Sequence, residues 1–323
     1  MPNAIRIHET GGPEKMLWEE VEVGSPGPGQ VLVRNTAVGL NFIDVYQRTG
    51  LYPNALPLTL GMEGAGVVEA VGPKVKEFKA GDRVAYANPI GSYAEVCLRP
   101  VERLVKIPAG VDDRIAAAIM LKGMTAWYLV KRTYKVKKGD TILVHAAAGG
   151  VGQILCQWAK HLGATVIGTV GSDEKAALAK KAGCKHVIVT SREKFVDRVK
   201  AITKGKGVAV VYDGVGKDTF MDSLDCLAPL GLMASFGNAS GAVTQFNPGV
   251  LAQKGSLFLT RPTLFTYTAK REDLVKAAQD LFAVVKSKAV KISINQTYPL
   301  REAAQAHIDL EGRKTTGSTV LLP

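Results

Sequence analysis

Between about Thr141 and Thr260, short β-branched runs alternate with helix-length stretches. The runs are Thr141 to His145, Thr165 to Val170, His186 to Thr190, Val208 to Tyr212, Leu232 to Phe236 and Leu257 to Leu259. Near-continuous apolar strands separated by helices predict a doubly wound parallel sheet, buried on both faces. Before about residue 120 the pattern differs. Short strands such as Val31-Leu32-Val33 and Gly66 to Val71 are separated by Gly and Pro turns, as in a small β-rich domain. The last segment predicts a helix from about Glu272 to Lys286, a strand at Ile292-Ser293-Ile294, a helix from about Arg301 to Leu310 and a strand at Thr319 to Leu322.

The first strand of the alternating region runs into Ala147-Ala148-Gly149-Gly150-Val151-Gly152 and then a helical stretch to Leu162. A Gly-rich turn between a strand and a helix is the dinucleotide pyrophosphate pattern, here with Ala147 in the first glycine position. Gly149 lets backbone N–H groups approach phosphate, Gly150 and Val151 open the helix, and Gly152 lets that helix pack against the strand. Ligands of such sheets lie outside the carboxyl ends of the strands, which singles out Asp213-Gly214-Val215-Gly216 and Gly237-Asn238 as nicotinamide-side loops.

The next strand ends in Gly171-Ser172-Asp173-Glu174-Lys175. NAD sites usually place an acid directly after this strand to bind the ribose 2′-OH, and here Gly171 and Ser172 come first. A 2′-phosphate would meet the Ser172 hydroxyl and Lys175 ammonium, so NADPH is favoured over NADH. Ser172 is also a good helix N-cap, and Asp173 or Glu174 could turn inward.

At 323 residues the chain has room for two domains with sizeable cores. No signal pattern opens it and no apolar run is long enough to span a bilayer, so a cytoplasmic location is expected. Cys97, Cys156, Cys184 and Cys226 lack metal-site spacing and are expected as reduced, mostly buried thiols. A formal charge of +12 suits anionic ligands. Lys131, Arg132, Lys135, Lys137 and Lys138 could touch nucleic acid, although a solvated face is the preferred reading of that cluster.

Several segments together carry a family resemblance: Gly39 to Asp44, Gly61 to Gly66, Gly81 to Val84, Leu121 to Ala126, His145 to Gly152, Val211-Tyr212-Asp213, Ser235 to Asn238 and Arg261-Pro262. In their order and spacing the chain resembles the zinc-free quinone oxidoreductases, the zeta-crystallin-like branch of the medium-chain dehydrogenases and reductases. The resemblance implies a GroES-like domain from residue 1 to about 120, completed by about 265 to 323, and a Rossmann domain from about 121 to 264. It implies Asn41, Asp44, Tyr46 and Tyr52 around the nicotinamide and substrate, with Thr125, Tyr128, Val215, Phe236, Asn238, Arg261 and Arg313 as further cofactor-lining positions. Asn41 has amide groups for a ribose or carboxamide, and two phenols offer flat apolar faces to a planar acceptor. Core packing for the tyrosines and helix capping for Asp44 are the plainer readings. Zinc-dependent relatives carry Cys and His where this chain has Asn41 and Met62, so no metal is expected. A Tyr often found near the adenosine phosphate is replaced by Thr190, where Ser191 or Arg192 could compensate.

The resemblance thus implies a homodimer that passes hydride from NADPH to a quinone, with no dedicated general acid. Reduction of an α,β-unsaturated carbonyl is the alternative within the same chemistry, and an NADPH-regulated RNA-binding or structural protein is the alternative outside it.

Overall fold

The computed structural model describes all 323 residues, Met1–Pro323. The chain forms two compact units. One comprises Met1–Met124, Thr268–Lys286 and Ile292–Pro323; the other comprises Thr125–Tyr267 and Ser287–Lys291.

The first unit opens with β1 (Asn3–Ile7), β2 (Leu17–Glu20), β3 (Gln30–Gly39) and the short helix α1 (Phe42–Arg48). It continues through β4 (Leu58–Thr59), β5 (Glu63–Val71), β6 (Arg83–Ala87), β7 (Val96–Pro100), β8 (Leu104–Lys106) and helix α2 (Asp113–Tyr128), whose last turn belongs to the second unit. The expected cores Val31–Val33 and Gly66–Val71 sit inside β3 and β5, which pair antiparallel over most of their length. Alternate residues of β3 point inward, and Val31, Val33, Val68, Phe78, Val84 and Leu104 close one apolar cluster. A Cβ on Gly66 would lie 2.1 Å from the Arg34 carbonyl oxygen, so glycine is required where β3 and β5 come close.

The second unit contains β9 (Thr141–Val144), β10 (Thr165–Val170), β11 (His186–Val189), β12 (Val208–Asp213), β13 (Leu227–Ser235) and β14 (Phe258–Thr260). All are parallel, in the order β11-β10-β9-β12-β13-β14, so the topology reverses between β9 and β12. This is the doubly wound sheet that the alternation predicts, and its ligand crevice belongs at that reversal. The helices are α3 (Gly150–His161), α4 (Asp173–Lys181), α5 (Phe195–Thr203), α6 (Phe220–Leu224), α7 (Gly249–Gln253) and α8 (Leu264–Tyr267). Leu143, Ile167, Ile188, Val211 and Met233 from five strands pack with Phe195, Val199 and Phe220 in its core.

The chain then completes the first unit with α9 (Arg271–Lys286), β15 (Ile294–Pro299), α10 (Ala303–Glu311) and β16 (Ser318–Leu322). β16 joins β3 antiparallel and β15 joins β16 parallel. The strand expected at Ile292–Ile294 instead begins at Ile294 and runs through Asn295-Gln296-Thr297. Its side chains alternate between exposed and half-buried, so polar residues occupy the outer face of an edge strand whose pairing the local apolar pattern does not record.

Candidate active site

The Gly-rich turn leaves β9 and enters α3 at the topological reversal. Gly149 is the N-cap of α3 and has no side chain to occupy the first N–H groups; no acid lies in the first turn. Gly150, Val151 and Gly152 therefore present backbone N–H groups without partners inside the helix, at its positive end. A Cβ on Gly152 would lie 2.3 Å from the Ala146 oxygen and 2.8 Å from the Ala147 Cα, so the turn and the helix touch backbone to backbone. The donor set and the cradle both fit a dinucleotide pyrophosphate.

Past β10, the Ser172 hydroxyl caps α4 by accepting from the Lys175 N–H at 3.4 Å, the plainer of its two expected roles. It also hydrogen-bonds Glu174, whose carboxyl it holds below the usual range. The other acid of that turn, Asp173, pairs with Arg192 at 2.8 Å. Both carboxylates that could turn inward are thus engaged, and Arg192 is tied to Asp173, the residue after Ser172. Thr190 ties β11 to β10 through its hydroxyl on the Val170 carbonyl at 3.1 Å.

At the carboxyl end of β12, buried Asp213 fixes the following loop. Its carboxylate accepts from the Val215 and Gly216 N–H groups at 2.7 and 3.1 Å and from the Thr219 hydroxyl at 2.8 Å. Phe236 packs on that loop, because a Cβ on Gly214 would be 3.0 Å from its ring. With its amide nitrogen toward the Gly237 carbonyl, Asn238 accepts from Arg261 at 3.2 Å, and Arg261 also donates to the Ser235 carbonyl at 3.0 Å. Val215, Phe236, Asn238 and Arg261 are therefore brought together outside β12 to β14. Tyr128 is buried and stacks on Tyr267 with ring centres 4.6 Å apart, and Thr125 is half-buried one turn before it. Arg313 is exposed, just past α10 in the other unit.

In the first unit, α1 and the residues flanking it carry the remaining candidates. Asn41 precedes it, and the Asn41 amide nitrogen donates to Glu63 Oε1 at 2.9 Å and to the Gly39 carbonyl at 3.4 Å. Because a Glu63 carboxylate can only accept, the Asn41 amide nitrogen is committed to it, and the amide oxygen, which faces the Asp44 N–H in a capping box, keeps one acceptor site. Glu63 is fully buried and is met by the Leu121 N–H at 2.6 Å and the Lys122 ammonium at 2.5 Å. Asp44, also fully buried, accepts on Oδ2 from the Asn41 N–H at 2.8 Å and the Tyr93 hydroxyl at 2.9 Å. This is the helix-end role of the plainer reading. Burial nonetheless pushes its carboxyl up to about 7, against the hydrogen bonds from Asn41 and Tyr93 and the nearby Lys122 charge. On the other side of α1, Tyr46 meets Tyr52 edge-on at 5.2 Å and Phe42 at 6.2 Å. Tyr46 is almost fully covered and Tyr52 half-buried.

Around α1, Tyr93 lies outside every motif, and Glu63 and Lys122 fall inside family segments without having been assigned a role. A charged residue amid the small residues of Gly61 to Gly66 was the available signal for Glu63. His145, which adjoins the Gly-rich turn, is a core side chain between the Thr169 and Ser223 hydroxyls, at 2.8 Å from each. In the basic cluster, Lys131 and Arg132 lie over the Trp158 and Trp127 rings at 5.9 and 5.8 Å, while Lys135, Lys137 and Lys138 are exposed. The four cysteines are unpaired and buried. No helix is long and apolar enough to cross a membrane.

Zinc does not fit these residues. The Asn41 amide is committed to Glu63, the Met62 sulfur accepts from the Gln47 amide at 3.2 Å, and no three His, Cys, Asp or Glu side chains converge.

Residues 27–109 match the alcohol dehydrogenase GroES-like domain, and residues 150–283 match the family model described as zinc-binding dehydrogenase. Over the whole chain and the whole relative, 54% of residues are identical to a quinone oxidoreductase of Pseudomonas aeruginosa. A 2-haloacrylate reductase of Burkholderia sp. is 51% identical over all of this chain and 99% of its own. The crystal structure of Escherichia coli quinone oxidoreductase complexed with NADPH aligns with a TM-score of 0.98 at 49% identity, covering 99% of this chain and 100% of that one.

Proposed function

The chain belongs to the quinone oxidoreductase family of the medium-chain dehydrogenases and reductases, and from that premise we propose that it reduces a quinone with NADPH, without zinc. The observation that carries this reading is the uncapped, acid-free N-terminus of α3 beside a glycine that cannot gain a Cβ. NADPH, when bound, supplies the hydride; with one proton from water the quinone leaves as hydroquinone and the cofactor as NADP⁺. Gly149, Gly150, Val151 and Gly152 hold the pyrophosphate; Lys175 and Arg192 receive the 2′-phosphate, and the Ser172 hydroxyl donates to it by turning its hydrogen away from Glu174. Val215, Phe236, Asn238 and Arg261 line the cofactor, with Thr125, Tyr128 and Arg313 as further cofactor positions. Asn41 offers an amide oxygen to a ribose hydroxyl or carboxamide N–H, and Tyr46 and Tyr52 offer ring faces to a flat acceptor. A quinone accepts hydride readily, so orientation and exclusion of water supply most of the catalysis.

The 51% identity to a 2-haloacrylate reductase favours one second reading, hydride delivery to an α,β-unsaturated carbonyl compound. The test is the initial rate of NADPH and NADH oxidation with 1,4-benzoquinone and with a simple enone, after dialysis against a chelator. NADPH-selective quinone turnover that survives chelation is the expected result. Enone turnover with negligible quinone turnover would reverse the order of the two readings, and loss of activity on chelation would remove the zinc-free assignment.

The homodimer is proposed through the open edge of β14, where Phe258 is 60% exposed and Leu230 at the neighbouring strand is 67% exposed. Sedimentation equilibrium at micromolar concentration should give twice the 34.4 kDa chain mass; a single-chain mass would overturn it. Four unpaired, buried thiols support a reducing compartment, the cytoplasm.

A further inference from the structure

Seven residues are too few for α1 to hold its own shape or position, so its placement must come from what its inner face touches. That face is polar. Asp44, Gln47 and Arg48 stand at i, i+3 and i+4 and all are buried, while Tyr46 joins the aromatic cluster with Phe42 and Tyr52.

Arg48 is 1% exposed, and its guanidinium can only donate. One nitrogen binds both Glu311 oxygens at 2.8 and 3.0 Å; another lies 3.0 Å from His307 Nδ1. His307 Nδ1 must therefore accept, which leaves the ring hydrogen on Nε2, 3.1 Å from the Tyr93 hydroxyl. Tyr93 accepts that hydrogen and gives its own to Asp44 Oδ2 at 2.9 Å. The direction of each hydrogen bond from Arg48 to Asp44 Oδ2 is thereby assigned, while Asp44 Oδ1 is buried without a partner. Burial and Arg48 push His307 down to about 3, and burial with Asp44 holds Tyr93 well above the usual phenol, so both links stay neutral.

We propose that His307 and Tyr93 are positioning residues for the reaction, holding α1 through Asp44 so that the helix presents Tyr46 and the Asn41 amide oxygen in a fixed orientation. This rests on the pocket assigned above to Asn41, Tyr46 and Tyr52. The link joins residues 259 positions apart, so the C-terminal helix α10 controls the placement of the pocket helix. The charged and titratable groups facing Asp44 are Tyr93 from the β6–β7 connection, Lys122 from α2 and Glu63 from β5, with His307 and Arg48 one bond further.

Ionised Asp44 is the better acceptor for Asn41 and Tyr93, so the helix is held best above the Asp44 midpoint near 7 and loosens as pH falls through it. Folding stability runs the other way. A carboxyl raised from its ordinary value gives stability that is full below that value and lost as pH rises toward 7. A fall in turnover on acidification would thus occur while the fold becomes more stable, which separates positioning from unfolding.

The experiment compares wild type, His307→Leu, His307→Gln and Tyr93→Phe in quinone KM and kcat between about pH 5 and about pH 9, with NADPH Kd measured in parallel. His307→Leu should raise the quinone KM about tenfold or more, with NADPH Kd within about twofold. His307→Gln should restore most of it, since an amide oxygen can accept from Arg48 while its NH2 donates to Tyr93. Tyr93→Phe removes a hydrogen bond that lowers the Asp44 midpoint, so the acid limb should move to higher pH. Folded variants with wild-type KM and wild-type acid limb would overturn the proposal. Should His307→Leu fail to fold, Tyr93→Phe alone decides it. Should the wild type not reduce quinones, the functional reading fails, and the ¹³C titration of the Asp44 carboxyl in Tyr93→Phe still tests the relay: an upward shift supports it and no shift overturns it.

Discussion

Lys122→Met should lower folding stability by about 3–5 kcal/mol, because it removes the only cation paired with a fully buried carboxylate. Glu63 would keep two hydrogen bonds, from Leu121 and Asn41, which soften the loss without cancelling a negative charge taken out of water. The methionine fills similar volume, so the loss reports charge rather than a cavity. Glu63→Gln in the same background should recover most of the stability, since a neutral amide oxygen can still accept from Leu121 and nothing charged remains. Urea unfolding midpoints of the two single variants and the double variant measure this directly. A cost below about 1 kcal/mol for Lys122→Met would mean that water reaches Glu63 and that the pair does not hold Asn41. The double variant also separates stability from function: it should fold well yet bind quinone less well, because the Asn41 amide is no longer oriented by an obligate acceptor.

The second unit was legible because its information is local. Parallel strands buried on both faces write themselves as β-branched runs, and a pyrophosphate turn needs glycine at particular offsets, so Thr141 to Gly152 carries both the strand and the proposed site. Boundaries were less sharp: β13 begins at Leu227, five residues before the run at Leu232, because it passes through Pro229-Leu230-Gly231, a stretch without strand character. The first unit's site was only half legible. Asn41, Asp44 and Tyr46 were named only through the resemblance, and the groups that hold Asn41 and Asp44 come from Glu63, Tyr93, Lys122 and His307, none within reach of a periodicity argument. A buried polar partner is invisible in sequence until the chain closes, because its neighbours in space are not its neighbours in the pattern. The same limit applies to hydrogen-bond direction. The sequence names Asn41 as an amide, and only the Glu63 carboxylate decides that its nitrogen is spent, leaving the oxygen, with the Asp44 N–H on one side, as the end that can still accept.

Gly152→Ala should weaken NADPH binding by about 10- to 100-fold, equivalent to about 1.4–2.7 kcal/mol. Helix propensity alone predicts the opposite sense for the fold, since Ala stabilises a helix interior by about 1 kcal/mol over Gly. The contact geometry outweighs that preference. The new methyl would sit 2.3 Å from the Ala146 carbonyl oxygen and 2.8 Å from the Ala147 Cα. Both are backbone atoms of a tight turn in which Ala146 already adopts a positive φ of 50°, so neither can swing aside as a side chain would. Either α3 moves off β9 or the turn opens, and in both cases the N–H groups of Gly150, Val151 and Gly152 no longer converge on one anion. Gly149→Ala supplies the graded comparison. Its methyl would be 3.2 Å from the same oxygen, a contact that a shift of a few tenths of an ångström relieves, so its penalty should be the smaller of the two. Fluorescence titration with NADPH, beside thermal unfolding of each variant, reads both quantities. If Gly149→Ala weakened binding as much as Gly152→Ala, close packing of helix against turn would not be what shapes the cradle, and direct approach of phosphate to Gly149 would take its place in the argument.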